Sequence, residues 1–202
     1  MCLLLCLPGL KTAPRAVGLA ALLCGLNTVM VVLPFLHWEW FNPGLNYNWA
    51  GKLFSTLLSG AVIYWWRWMT PAEVGLRPPA SDSRWVVGLV VLAFGVFQLV
   101  NGYSVRHHHP RPTTEALLYE LTMPGVAEEL FSRGILLGAL SRAFPRTLPL
   151  LGTRTSWGGV VSVVLFVLGH VFNFAGPLAL WPSVHFSLER IVGIAIFGTL
   201  FL

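Results

Sequence analysis

MPGVAEELFSRGILLGAL, residues 123–140, is an apolar stretch that carries three ionisable side chains within six positions: Glu128, Glu129 and Arg133. Its reading decides the fold. On a soluble helix such charges face water and mean little. Held at membrane depth they are costly, so they are rare there and mark functional sites by default.

The composition favours the membrane. Hydrophobic residues make up 55% of the chain and charged residues 10%, and the mean hydropathy is +0.71. An ordinary soluble domain is about a quarter charged. Nine Trp and 20 Gly suit membrane helices and their interfacial belts. A spanning helix needs about 20 largely apolar residues. Such runs occur at 16–36, 53–69, 85–103, about 116–140 and 157–175, and a sixth starts near Leu188 and is cut off at Leu202. The expected fold is all-α: a polytopic membrane helix bundle of about six hydrophobic segments, the last truncated, in a single domain over residues 1–202. Pro71, Pro78, Pro79, Pro110, Pro112, Pro177 and Pro182 fall between the runs, where helix breakers belong.

Orientation follows the Lys/Arg bias of the loops. Lys11, Arg15, Arg67, Arg77, Arg84, Arg142, Arg146 and Arg154 fall on one side, against Lys52, Arg106 and Arg111 on the other. The N-terminus is therefore expected in the cytoplasm, and Lys52 is read as a helix-edge residue. The opening MCLLLCLPGL has no basic residue before its apolar run, unlike a cleavable signal peptide.

Several functions are disfavoured. The net charge of +5 comes from basic residues scattered singly among apolar runs, so nucleic acid is not an expected partner. Cys2, Cys6 and Cys24 form no CxxC pair, which argues against thiolate zinc and a disulfide framework. His107, His108 and His109 are adjacent in a loop and read as solvated. His185 and Glu189 sit where a loop enters the last run, with Arg190 as an interfacial anchor.

The chemistry is expected from few residues. Glu129 and Arg133 stand four apart and share a helix face, so they can pair. Glu128 points about 100° away from Glu129 and would be left to take a proton. A carboxylate in a low-dielectric site holds a proton more readily than in water, which suits a general base near neutral pH. Pro124 and Gly125 should loosen the helix and open a wet cavity. In VVLFVLGHVFNF, residues 163–174, His170 follows Phe166 by one turn, and Asn173 lies one turn beyond. Glu128 and His170 on facing helices would orient and deprotonate a water. Gly134 and Gly138 form GxxxG, and Gly158 and Gly159 open the next run, spacings that let helices approach closely.

These residues resemble the CPBP family of intramembrane proteases, also called the CAAX-protease and bacteriocin-processing or Abi family. Its EExxxR motif is matched by Glu128, Glu129 and Arg133, and its FxxxH motif by Phe166 and His170, about 40 residues on. PAEVGLRPP, residues 71–79, looks like a linker of bacterial members. The likeness covers roughly residues 70–202.

The resemblance implies hydrolysis of a peptide bond in a membrane-associated, possibly prenylated, protein or peptide, in a multi-pass protein of the bacterial cytoplasmic membrane. Glu128 would activate water with His170, and Glu129 and Arg133 would support the geometry. A divalent metal on Glu128 and His170 is left open, and the sequence offers no HExxH that would require one. The family's third motif, HxxxN or HxxxD, has no match before Leu202, so the chain is expected to be C-terminally incomplete. Loss of such oxyanion donors costs about 100- to 1,000-fold in rate. An inactive scaffold or bacteriocin-immunity protein of the same fold is the alternative. A proton-coupled carrier comes third, for want of inverted repeats.

Overall fold

The computed structural model describes residues 6–78, 81–82, 84–106, 113–150, 153–174, 182–184 and 191–195. Helices dominate. After a 3-10 turn at Leu7–Lys11 come α1 (Pro14–Leu36), a single turn at Trp38–Phe41 and α2 (Trp49–Gly60), which runs on as a π-helical turn, Ala61–Trp65. Then follow α3 (Arg84–Arg106) and α4 (Thr114–Met123). A π-helical segment, Pro124–Leu136, continues α4 and leads into α5 (Leu137–Ala143). After α6 (Trp157–Val171) two short strands are described, and residues 191–195 are helical.

Two short antiparallel pairs qualify the all-α expectation: β1 (Thr147–Leu150) with β2 (Thr153–Ser156), and β3 (Phe172–Phe174) with β4 (Pro182–Val184). The expected helical run 157–175 therefore ends at Val171, and Asn173 lies in β3 opposite Ser183. The run expected at 53–69 starts at Trp49 and leaves helical geometry after Trp65. The triple histidine, His185, Glu189 and Arg190 fall outside the described residues.

Among the described residues, α1 is long and apolar enough to cross a bilayer by length and composition. At 1.5 Å per residue its 23 residues reach about 34 Å, past a hydrocarbon core of about 30 Å. Arg84–Ala93 and α6 are shorter apolar stretches. Along α3, Trp85, Leu89, Val91, Leu92, Val96 and Val100 are all exposed. A helix that is apolar around its circumference has no water-facing side.

Local chemistry fixes the elements around the site. Pro14 starts α1, where its fixed φ is pre-set for a helix. Within α1, Pro34 removes a backbone donor and disturbs the preceding turn. Nearby, the Asn48 side-chain amide donates to the Val31 carbonyl at 2.8 Å. Asn48 also caps α2, its Oδ1 accepting from the Gly51 N–H at 3.0 Å. A Cβ at residue 51 would strike that capping amide, so glycine lets one asparagine fix both the start of α2 and its seat on α1.

Leu23 of α1, Val62 and Ile63 after α2, Met69, Ile135 of the π segment and Leu140 of α5 form the interior. Gly158 packs so closely on Leu140 that an added Cβ would collide with its backbone, which presses α6 against α5. Gly134 and Gly138 do something other than expected. They face Val74 and Met69, so the GxxxG stripe receives the 69–74 loop and not α6.

Candidate functional site

The π-helical segment places the two glutamates on different sides. Pro124 brings no N–H to the ladder, and π-helical turns are frequent at functional sites. Glu128 lines a cavity of about 580 Å³ between α1, α2, the π segment and α6, together with Asn27, Thr28, Lys52, Ser132 and His170. Glu129 and Arg133 line a separate cavity of about 510 Å³ with the Val74–Leu76 backbone turn and Gly125. Their ion pair closes at 3.0 Å.

His170 reaches the first cavity from the C-terminal turn of α6. Its Nδ1 lies 2.8 Å from the Phe166 carbonyl oxygen. A carbonyl only accepts, so Nδ1 carries a proton, and a neutral ring in this tautomer presents a lone pair at Nε2. That Nε2 stands 3.9 Å from Glu128 Oε2. Two acceptors facing each other at this separation leave room for a hydrogen donor between them. A water donating about 2.8 Å bonds to both fits such a gap.

Phe166 connects the two halves. Its ring centroid is 4.4 Å from that of His170, and the Arg133 guanidinium carbon lies 5.6 Å from the same ring centre, within cation–π range. Arg133 thus braces the ring against which the imidazole rests. Glu129 holds Arg133 from the far side.

One expectation needs correcting. Glu128 is not left unpaired: its Oε1 forms an ion pair with Lys52 Nζ. Lys52 lies at a helix edge, as expected, but its side chain turns inward. It sits in the first turn of α2 with its side chain 16% exposed, directed inward to a partner 76 residues away in sequence. The signal was present, since a lone Lys before the apolar run LFSTLLSG must find a counter-charge if its helix is buried. The asparagine and hydroxyl groups of the cavity carry no distinguishing spacing in the sequence. Asn27 Oδ1 accepts from Ser55 at 2.6 Å, and the Ser162 hydroxyl donates to the Ser132 carbonyl at 3.3 Å. The Asn173 side chain, expected to assist, lies outside the described atoms.

Among the described residues the donor set does not fit a divalent metal: no three of His, Cys, Asp and Glu come together. Lys52 also brings a positive charge to the carboxylate a cation would need. The chemistry this arrangement can do is carboxylate-assisted use of a water held by an imidazole.

Outside this region, Glu73 accepts from the Thr70 N–H at 2.7 Å and the Thr70 hydroxyl at 2.9 Å, and pairs with Arg142 at 2.5 Å. These bonds, the Thr70 backbone first, hold its carboxyl down at about 2. Glu115 accepts from Asn46, Tyr47 and Trp49. The Asn46 bonds lead in holding its carboxyl low, and the contacts tie the 42–48 loop to α4.

Residues 110–202 match the family model described as type II CAAX prenyl endopeptidase Rce1-like. The matched stretch contains both glutamates, Arg133, Phe166 and His170, and the match supports the CPBP/CAAX-protease family. No curated protein and no solved structure matches the chain.

Proposed function

Given that residues 110–202 belong to the CPBP/CAAX-protease family, we propose that this chain is a multi-pass intramembrane endopeptidase. It hydrolyses a peptide bond of a membrane-associated protein or peptide, with Glu128 as general base. The supporting observation is the convergence of Glu128 Oε2 and His170 Nε2 at 3.9 Å in a cavity that α1 also lines.

In this reading a water donates one hydrogen bond to His170 Nε2 and the other to Glu128 Oε2. Glu128 takes a proton as the water oxygen attacks the scissile carbonyl carbon. The tetrahedral adduct collapses, the C–N bond breaks, and Glu128 returns its proton to the leaving amine. One water is consumed and two termini form. His170 fixes the attack direction, and Phe166, Arg133 and Glu129 set the ring that does so. Positioned proton transfer of this kind contributes about 10² to 10⁴ in rate.

The test is cleavage of a membrane-tethered peptide by purified protein in detergent, set beside Glu128→Ala and His170→Ala. Equal cleavage by all three removes the proposal. The Glu128–Lys52 ion pair favours a second reading, a non-catalytic scaffold or immunity protein in which the charges only pack helices. A folded wild type that binds tethered peptides and cleaves none of them supports that reading.

A further inference from the structure

We propose that Lys52 is the positioning residue of the Glu128 centre: its ammonium holds Oε1, so that Oε2 is presented to His170 and to the water between them. The inference rests on the reading of Glu128 as the base, and it adds a residue from outside both sequence motifs and outside the stretch matched by the family model.

Lys52 is brought to Glu128 by built structure. Asn48 caps α2 and bonds to α1, which fixes the first turn of α2 and the side chain leaving it. The Lys52 side chain is 16% exposed and Glu128 is 31% exposed. Removing one member of such a partly buried pair leaves an uncompensated charge and is destabilising. Lys52 Nζ is engaged as a donor to Glu128 Oε1, on the far side of the carboxylate from His170. It acts through Glu128.

Other cavity groups are engaged elsewhere. Asn27 is bonded to Ser55 at 2.6 Å, and the Thr28 hydroxyl donates to the Cys24 carbonyl at 2.8 Å. Glu129 and Arg133 face the second cavity. Among the described residues, the charged or imidazole side chains that contact Glu128 in the first cavity are Lys52 from α2 and His170 from α6, and the Tyr119 phenol of α4 lies close enough to feel its charge. With Oε1 held, carboxylate rotation is arrested. With Oε1 released, Oε2 drifts from the 3.9 Å approach, and misplacement of about 1 Å costs on the order of 100-fold.

The experiment uses the full chain in detergent with a fluorogenic membrane-tethered peptide, and reads kcat, KM and melting temperature. Lys52→Met should lower kcat about 100-fold with KM within about threefold, because the loss is in orientation and not in substrate binding. Lys52→Arg, which keeps the charge, should retain kcat within about tenfold of wild type. Lys52→Met should melt below wild type, and adding Glu128→Gln should raise the melting point again by removing the stranded carboxylate. A packing-only lysine would give the same recovery in melting temperature but no selective fall in kcat.

Should Lys52→Met lack a melting transition, Lys52→Gln is read in its place, with kcat down at least about tenfold and KM unchanged. Wild-type kcat in the neutral variants, a rise in KM alone, or a double variant melting no higher than Lys52→Met overturns the inference while leaving the protease reading intact. A wild type that cleaves nothing overturns both.

Discussion

Replacing each of the two adjacent glutamates by glutamine separates catalysis from support. Glu128→Gln keeps the shape of the side chain and an oxygen that Lys52 can bond, but the amide cannot take a proton. General-base catalysis contributes about 10² to 10⁴, so kcat should fall by that factor, about 2.7–5.4 kcal/mol in barrier at 1.36 kcal/mol per decade. KM should barely move, because the cavity wall is unchanged. Glu129→Gln removes the partner of Arg133 at 3.0 Å, but that carboxylate is 43% exposed and lines the other cavity. Ion pairs as open as this are worth about 1 kcal/mol or less, and Arg133 keeps its seat over Phe166. The expected loss is below about tenfold. The assay is steady-state cleavage of a tethered peptide by both variants at matched folded fraction. Equal losses, or a larger loss for Glu129→Gln, would refute the assignment of Glu128 as the proton acceptor.

Further outcomes follow from other contacts. Glu73 has a folded carboxyl lowered to about 2 from a reference of 4.5, so its stabilising contribution is full above about pH 4.5 and is lost as pH falls from there toward 2. Because that side chain is 42% exposed, the effect is below about 1 kcal/mol after solvent screening, and Glu73→Gln should flatten the melting curve across that window. Gly158→Val drives side-chain atoms into the Leu140 backbone; overpacking of about 1–3 kcal/mol should lower the melting temperature and reduce cleavage, since α6 carries His170. Glu115→Ala releases Asn46, Tyr47 and Trp49, and limited proteolysis should then nick the 42–48 loop faster than in wild type.

Much of the candidate site could be read from the chain because charge in an apolar run must be accounted for. The Glu129–Arg133 pair follows from four-residue spacing on one helix, and it forms. Adjacent glutamates must diverge on any helix, and they do so into two cavities. The end of α6 at Val171 was not legible, because FNF continues the apolar pattern of the helix while pairing as β3. Nor was the use of Gly134 and Gly138, since a GxxxG spacing reports that something packs closely without saying whether it is a helix or the 69–74 loop.

The sequence by itself determined that this chain is rich in apolar helices and that a few ionisable groups within them need partners. Composition and spacing act within one segment, and residue type and depth set the cost of burying a charge that has no partner. Tertiary structure decided which partners they take. Lys52 and Glu128 are 76 residues apart, and their meeting depends on how α2 crosses the π segment and on the asparagine that fixes its first turn. His170 meets the same carboxylate because α6 is pressed onto α5 at Gly158. Contacts between distant segments depend on helix axes and rotations, which no local spacing encodes.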